Sequence, residues 1–337
     1  MDNVSIVILN FNGRAYLERF LPGVLANSPG CEVIVADNNS SDDSVQYLKS
    51  NFPNIRLIII DENQGYSQGY NTALTQVTSK YYVLLNSDVE VTPGWVEPMV
   101  GSMDADPTIA AAQPKILDFN QRDRFEYAGA GGGQLDILGY PFCRGRLFLT
   151  LEKDQGQYDD FQRIFWATGA CLFIRSDVFH ELGGLDPDFF AHMEEIDLCW
   201  RINAAGYKVM YNGSSKVYHV GGGTLQRTNP RKTYLNFRNG LTLLYKNSST
   251  KELIWKLPAR IILDIIAAVK FTLFDSPKDG LAVIKANLHF LQKLSITAEK
   301  RRQIKKMNSS DRHQLIYKGS IVFQYFMKGI RKYNDLP

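Results

Sequence analysis

Val4-Ser-Ile-Val-Ile-Leu-Asn-Phe-Asn-Gly13 is a β-branched apolar run that stops at a turn cluster. Its length suits a buried strand. It is too short for the apolar core of a signal peptide, and Met1-Asp2-Asn3 lacks a basic start. The pattern repeats outward from this strand. Residues 14–27 read as a helix, 32–36 as a second strand broken at Asp37-Asn-Asn-Ser-Ser-Asp42, and 44–51 as a helix. A third strand is expected at 55–60, a helix at 69–79, and a fourth strand at 81–85 ending in Asn86-Ser-Asp88. Strands alternating with helices imply crossover connections and an α/β fold with a mostly parallel sheet flanked by helices. Such sheets bind ligands beyond the carboxyl ends of their strands. Polar clusters stand at three of those ends, at Asp37, Asn63 and Asp88.

Residues 107–165 are less regular. Ala128-Gly-Ala-Gly-Gly-Gly133 lacks the Gly-Lys-Ser/Thr of a phosphate loop, and Gln134 stands where a dinucleotide fingerprint needs glycine. The stretch reads as a flexible loop or edge. A strand is expected at 167–174, with Ser176-Asp177 capping the next helix. Residues 194–205 read as a helix with an acidic first turn and Gly206 as its stop. Two short strands, 207–211 and 217–219, lead into Gly221-Gly-Gly223. From about residue 234 the chain reads as helical. Residues 257–274 are strongly apolar but contain Arg260, Asp264 and Lys270, which favours an amphipathic helix on a membrane surface or a partner over a span. The expected division is a catalytic region at 1–245 and a helical region at 246–337, read as membrane-associating, partner-packed or a plain globular helical tail.

The 337 residues are 45% hydrophobic and 22% charged, enough for a sizeable core. A net charge of +3 offers no case for a nucleic-acid partner. Lys300, Arg301, Arg302, Lys305 and Lys306 read equally as a solvated helix face or a contact for an anionic surface. Cys31, Cys143, Cys171 and Cys199 form no C-x-x-C pair, which fits buried free thiols in a reducing cytoplasm.

Three groups of residues carry candidate chemistry. Asp88 can hold a hard cation with help from the Asn86 amide oxygen, although an aspartate at a strand end is more often a cap. Glu194, Glu195 and Asp197 crowd their charges, which raises one pKa and suits a general base. Dipole compensation and an Asp197–Arg201 pair account for Asp197, but less well for two adjacent glutamates. His192 and His219 raise the question of zinc. H-E-x-x-H is absent, and a lone histidine at a strand end is more often structural.

Taken together, five stretches resemble family-2 glycosyltransferases of the GT-A fold, in particular bacterial rhamnosyltransferase-like enzymes of surface-polysaccharide assembly. They are Val4–Gly13, Val35-Ala-Asp-Asn-Asn-Ser-Ser-Asp42, Asn63-Gln-Gly-Tyr-Ser-Gln-Gly-Tyr-Asn71, Leu84-Leu-Asn-Ser-Asp-Val89, and Thr168-Gly-Ala through Glu194-Glu-Ile-Asp-Leu-Cys-Trp-Arg201. His219 closes the set, and the resemblance covers about residues 3–245. It implies an inverting transfer from a nucleoside diphosphate sugar to a hydroxyl of a glycan or lipid-linked acceptor, aided by Mn2+ or Mg2+. Asn10 would line the nucleotide site, and Asp37 would contact base or ribose with Asn39 beside it. Asn63, Gly65 and Asn71 would shape the pocket, with Gly65 and Gly69 allowing close approach. Asn86-Ser87-Asp88 matches the D-x-D metal motif except for Asn86. Glu195, beside Glu194, falls at the catalytic base, and His219 at a metal ligand. Arg238-Asn239 matches a family element with no derivable role. Apart from the resemblance, the basic residues and the amphipathic tail suggest a cytoplasmic location at the inner face of the membrane. Two other readings use parts of the pattern. A nucleotidyltransferase would begin with a Gly-rich loop and a basic residue, which are absent here. A non-catalytic nucleotide-sugar-binding protein would be consistent with Asn86.

Overall fold

The computed structural model describes residues 3–221, 229–306 and 315–337. The chain begins with β1 (Val4–Asn10), α1 (Arg14–Ala26), β2 (Glu32–Asp37), α2 (Ser44–Asn51), β3 (Arg56–Ile59), α3 (Gly65–Leu74) and β4 (Tyr81–Asn86). There follow β5 (Val89–Val91), α4 (Glu97–Ala105) and β6 (Ile109–Asp118). Short strands β7 (Gly133–Asp136), β8 (Pro141–Cys143), β9 (Arg146–Leu147) and β10 (Thr150–Leu151) precede β11 (Phe161–Ile164), β12 (Cys171–Arg175) and α5 (Ser176–Glu181). The remainder is α6 (Glu194–Ala204), β13 (Lys208–His219), α7 (Pro230–Asn247), α8 (Thr250–Lys270), α9 (Pro277–Gln292), α10 (Leu294–Lys305), β14 (Ile316–Tyr317) and α11 (Ile321–Phe326).

The main sheet runs β11-β13-β6-β12-β4-β1-β2-β3, with β5 on β13. Strands β4, β1, β2 and β3 are mutually parallel, and β13 is parallel to β6. Strand β12 runs antiparallel between β4 and β6, so the sheet is mixed on that side. Both faces are covered, which explains why β1 up to Leu9 is apolar on both sides apart from the buried Ser5. Val7 packs with Ile34, Tyr70 and Leu84 on one face. Ile6 and Ile8 pack with Leu17, Leu21 and Val35 on the other. All four cysteines are free, and three of them are buried.

Several sequence expectations are corrected. Helix α3 starts at Gly65 rather than residue 69, because the Phe190 carbonyl accepts from the Tyr66 and Ser67 amides (2.7 and 3.2 Å) and so caps it from outside. The two strands expected at 207–211 and 217–219 are one, β13, with an irregularity between Asn212 and Lys216. The glycine-rich stretch is no flexible loop. It is a buried corner whose Gly133 faces the Trp166 ring, where a Cβ would lie 2.1 Å from the indole. Gly222 and Gly223 lie outside the described residues.

The C-terminal region returns to the sheet-bearing part. A boundary at residue 245 falls inside α7. Strand β14 pairs with β7 in a second sheet, and the Asp136 carboxylate accepts from the Ile321 amide (2.9 Å).

Candidate active site

In-register pairing of β1 with β2 and β4 brings Asn10, Asp37 and Asn86 to one sheet edge. The Asn10 amide donates to Asp37 Oδ1 (2.9 Å) and Ser40 Oγ (3.1 Å), and the Ser40 backbone donates to Asp37 Oδ2 (2.9 Å). This network fixes both buried side chains and leaves Asn10 Oδ1 without a partner. Asn39 is exposed at the rim with φ +62°. Its buried neighbour Asn38 ties the second and third crevice segments together: its amide donates to Asn63 Oδ1 (3.2 Å) and the Gly65 carbonyl (3.0 Å).

Gly65 and Asn71 are engaged by protein. Gly65 has φ +69°, and a Cβ there would lie 2.6 Å from the Phe190 ring. A Cβ on Gly69 would meet Leu9 and Asn38. Asn71 donates to the Leu185 carbonyl (2.7 Å) and accepts from its amide (2.9 Å). These residues hold the segment at 185–190 against α3, so the close approach their size permits is between two parts of the chain.

Beyond β4, Asp88 meets His219 at the end of β13. His219 Nε2 lies 3.1 Å from Asp88 Oδ1, and Asn86 Nδ2 lies 3.5 Å from the same nitrogen. On the other side of the ring, Nδ1 makes an ion-pair contact with Glu126 Oε2 at 3.2 Å. Burial alone would lower the His219 pKa, but the two carboxylates outweigh it and raise it well above the ordinary value. Burial raises Asp88 and Glu126, yet His219 pulls both below their usual range. No group of three His, Cys, Asp or Glu side chains converges as a metal site among the described residues. The donors fit a divalent ion completed by diphosphate oxygens if that ion takes the place of the proton between His219 Nε2 and Asp88 Oδ1, since a histidine ligates only in its neutral form. Carboxylate, imidazole and a carboxylate behind the imidazole form a familiar ligand and support set.

Glu194 and Glu195 open α6. The three residues Phe190, His192 and Met193 before them have φ of +63°, +70° and +74°. Left-handed non-glycine backbone of this kind persists only where its surroundings impose it. Arg238 and Asn239 impose it from α7. Arg238 Nη2 donates to the Asp188 and Phe189 carbonyls (2.8 and 2.9 Å). Asn239 Nδ2 lies within hydrogen-bond distance of the Phe189, Ala191 and His192 carbonyls (3.0, 2.9 and 2.7 Å). Burial pushes Glu195 up to about 7, against amide donors that include Gly169. Burial and then the neighbouring Glu195 charge push Glu194 well above its ordinary value. One carboxylate oxygen of each has no partner. The Tyr66 hydroxyl donates to the Gly169 carbonyl (2.6 Å), tying α3 to the same corner. Asp197 takes the structural role read from the sequence, accepting from Arg201 Nε (3.0 Å). His192 is held neutral, pushed by burial to about 4.

Two supporting residues, Glu126 and Asn38, are not visible as such in the sequence. Glu126 lies in the irregular stretch with no motif around it. Asn38 sits between Asp37 and Asn39, and only its contacts set it apart from them. The role of Arg238-Asn239 likewise emerges only from the carbonyls it gathers.

Solved structures share this fold. A GalNAc-T7 structure holding UDP, GalNAc and Mn2+ superimposes with a TM-score of 0.55 at 18% identity, over 72% of this chain and 48% of that one. A mannosyltransferase of Pyrobaculum calidifontis in complex with GDP-Man and Mn2+ gives 0.51 at 15% identity, over 91% and 86%. The fold is therefore that of GT-A glycosyltransferases. Within that class the chain belongs to glycosyl transferase family 2, whose model matches residues 5–183. An N-acetylglucosaminyl-diphospho-decaprenol L-rhamnosyltransferase of Mycobacterium tuberculosis is 28% identical over 237 residues, 65% of this chain and 76% of the relative. A low-salt glycan biosynthesis hexosyltransferase of Haloferax volcanii is 24% identical over 208 residues, 60% and 62%.

Proposed function

We propose that the protein transfers a sugar, with inversion, from a nucleoside diphosphate donor to a hydroxyl of a glycan or lipid-linked acceptor in surface-polysaccharide assembly. The observation that carries this reading is Glu195, a carboxylate raised to about 7 at the crevice with an unpartnered oxygen. Such a group takes a proton efficiently near neutral pH. Asn10, Asp37, Asn39 and Asn63 hold the nucleoside, with Gly65 and Asn71 forming the wall behind. Asn86, Ser87 and Asp88 face the diphosphate. Glu195 removes the acceptor proton, and the acceptor oxygen bonds to the anomeric carbon opposite the diphosphate. The bond from the anomeric carbon to the diphosphate oxygen breaks, and its electron pair leaves with the nucleoside diphosphate. Burial and the Glu195 charge push Glu194 well above its ordinary value, which favours placing the negative charge of the pair on Glu195. Asp88 and His219 would hold Mn2+ or Mg2+, which when bound neutralises charge on the leaving diphosphate.

Glu195→Gln should lower turnover by about 10²–10⁴-fold while leaving donor affinity in place. Near-normal turnover would remove Glu195 as the base. A nucleoside diphosphate rhamnose is the first donor to test, because the Mycobacterium tuberculosis relative is named a rhamnosyltransferase. Donor hydrolysis in manganese that EDTA abolishes supports the transfer reading. Pyrophosphate release from a nucleoside triphosphate and a sugar phosphate would favour a nucleotidyltransferase.

A further inference from the structure

Helix α8 is inside-out. Its buried face carries Lys256, Arg260 and Asp264. Arg260 donates to Asp264 (3.2 Å) and to the Leu138 carbonyl (3.1 Å) and stacks on Tyr140, while Lys256 donates to Glu252 (2.6 Å). Its outer face is apolar: Ile254, Trp255, Ile262, Ile265, Ile266 and Val269 are all exposed, Ile254 by 75%. The stripe continues into the turn at Phe271–Asp275, where Leu273 and Phe274 are 68% and 79% exposed. On α9 it resumes at Leu281, Ile284, Leu288 and Leu291, one face at helical spacing. An apolar patch of this extent on a charged chain marks an interaction surface.

Charge identifies the occupant. After residue 250 the sequence has 17 Lys and Arg against 7 Asp and Glu; before it, 21 against 28. Lys251, Lys270, Lys278, Lys285 and Lys293 are exposed on or beside the α8–α9 hairpin. A second copy would set one cationic segment against another, whereas anionic headgroups complement it. No helix among the described residues is long and apolar enough to cross a membrane. We infer that the α8–α9 hairpin lies in the headgroup region of an anionic bilayer, with its apolar face among the upper acyl chains.

The hairpin tip is joined to the candidate site. Phe271 packs on Phe237, Thr233 Oγ1 donates to Asp279 (2.5 Å), and Arg231 lies over Phe190 (5.0 Å), the residue that caps α3. A lipid-borne hydroxyl would thus meet the crevice from the bilayer side. That last step rests on the proposed transfer; the anchoring does not.

Trp255 reports the event, because Trp95, Trp166 and Trp200 are buried. With the full chain and no donor, sedimentation with phosphatidylglycerol–phosphatidylcholine vesicles should exceed that with phosphatidylcholine alone by at least about tenfold at low salt. Trp255 emission should shift to the blue and be quenched by brominated acyl chains. Two double variants, Ile262→Asp with Ile266→Asp and Leu273→Ser with Phe274→Ser, should each weaken vesicle binding by about tenfold or more and leave donor hydrolysis within about twofold of the parent. Absence of vesicle binding, binding without a Trp255 shift, or a shift that follows protein concentration without lipid would overturn the inference, the last in favour of self-association. Because vesicle binding is read without donor, it stands or falls separately from the role of Glu195.

Discussion

Beside a Glu194 that is itself pushed well above its ordinary value, Glu195 gains its position on the pH scale from burial. Its ionised form is the one that accepts the acceptor proton. Turnover should therefore rise with pH through about 7, with a slope near tenfold per unit below it, and level off above. A pH–rate profile flat from about 5 to about 8 would contradict this. Glu126 acts at one remove, behind His219. Removing its charge with Glu126→Gln should weaken Mn2+ binding by about 10–100-fold, measured by titration with electron paramagnetic resonance in the absence of acceptor. Unchanged Mn2+ affinity would leave Glu126 with a structural role only.

At the scale of elements, the segment before α6 is a backbone held away from its preferred conformations by two neighbours. Phe190 fits against Gly65, and Asn239 gathers carbonyls from 189 to 192. Gly65→Ala places a methyl on left-handed backbone and into Phe190, costing about 1–3 kcal/mol. Asn239→Ala strips donors from buried carbonyls, a loss of about 1–3 kcal/mol. Asn239→Ala should lower kcat more than it raises the donor KM, because the turn it clamps aims Glu195 and not the nucleoside. A donor KM that rises while kcat holds would mean the turn serves donor binding instead.

Across the whole molecule, α7 joins the sheet to the C-terminal helices through buried charge. Lys246 pairs with Asp186 and with Asp197, which is itself fully buried, and Lys300 reaches Asp186 from α10. Lys246→Ala should destabilise the protein by about 3–5 kcal/mol, read as a lower urea midpoint; a change under about 1 kcal/mol would place the pairs among weak surface contacts. Burial raises the Asp186 carboxyl, but Lys246 and Lys300 outweigh it and hold it at about 2. Its folded pKa is below its unfolded one, so its stabilisation is present above about pH 4 and lost as pH falls toward about 2.

What is legible in the sequence is what short-range pattern encodes. The apolar period of β1 to β4 and the polar residues that end those strands are enough to put Asp37, Asn63 and Asp88 at strand ends, and the family resemblance adds Asn10. The adjacent glutamates and the Asp197–Arg201 spacing are equally local. Tertiary structure alone decided how the site is supported. His219 meets Asp88 across 131 positions, and Glu126 reaches the other side of its ring. Asn239 clamps a turn 47 to 50 residues earlier in the chain. Such contacts depend on which strand and helix lie side by side, a property of the packed sheet and not of any residue's neighbours in sequence. The same holds for α8. Its composition shows an amphipathic helix, but only packing against Tyr140 and Leu138 shows that the charged face turns inward and the apolar face is left outside.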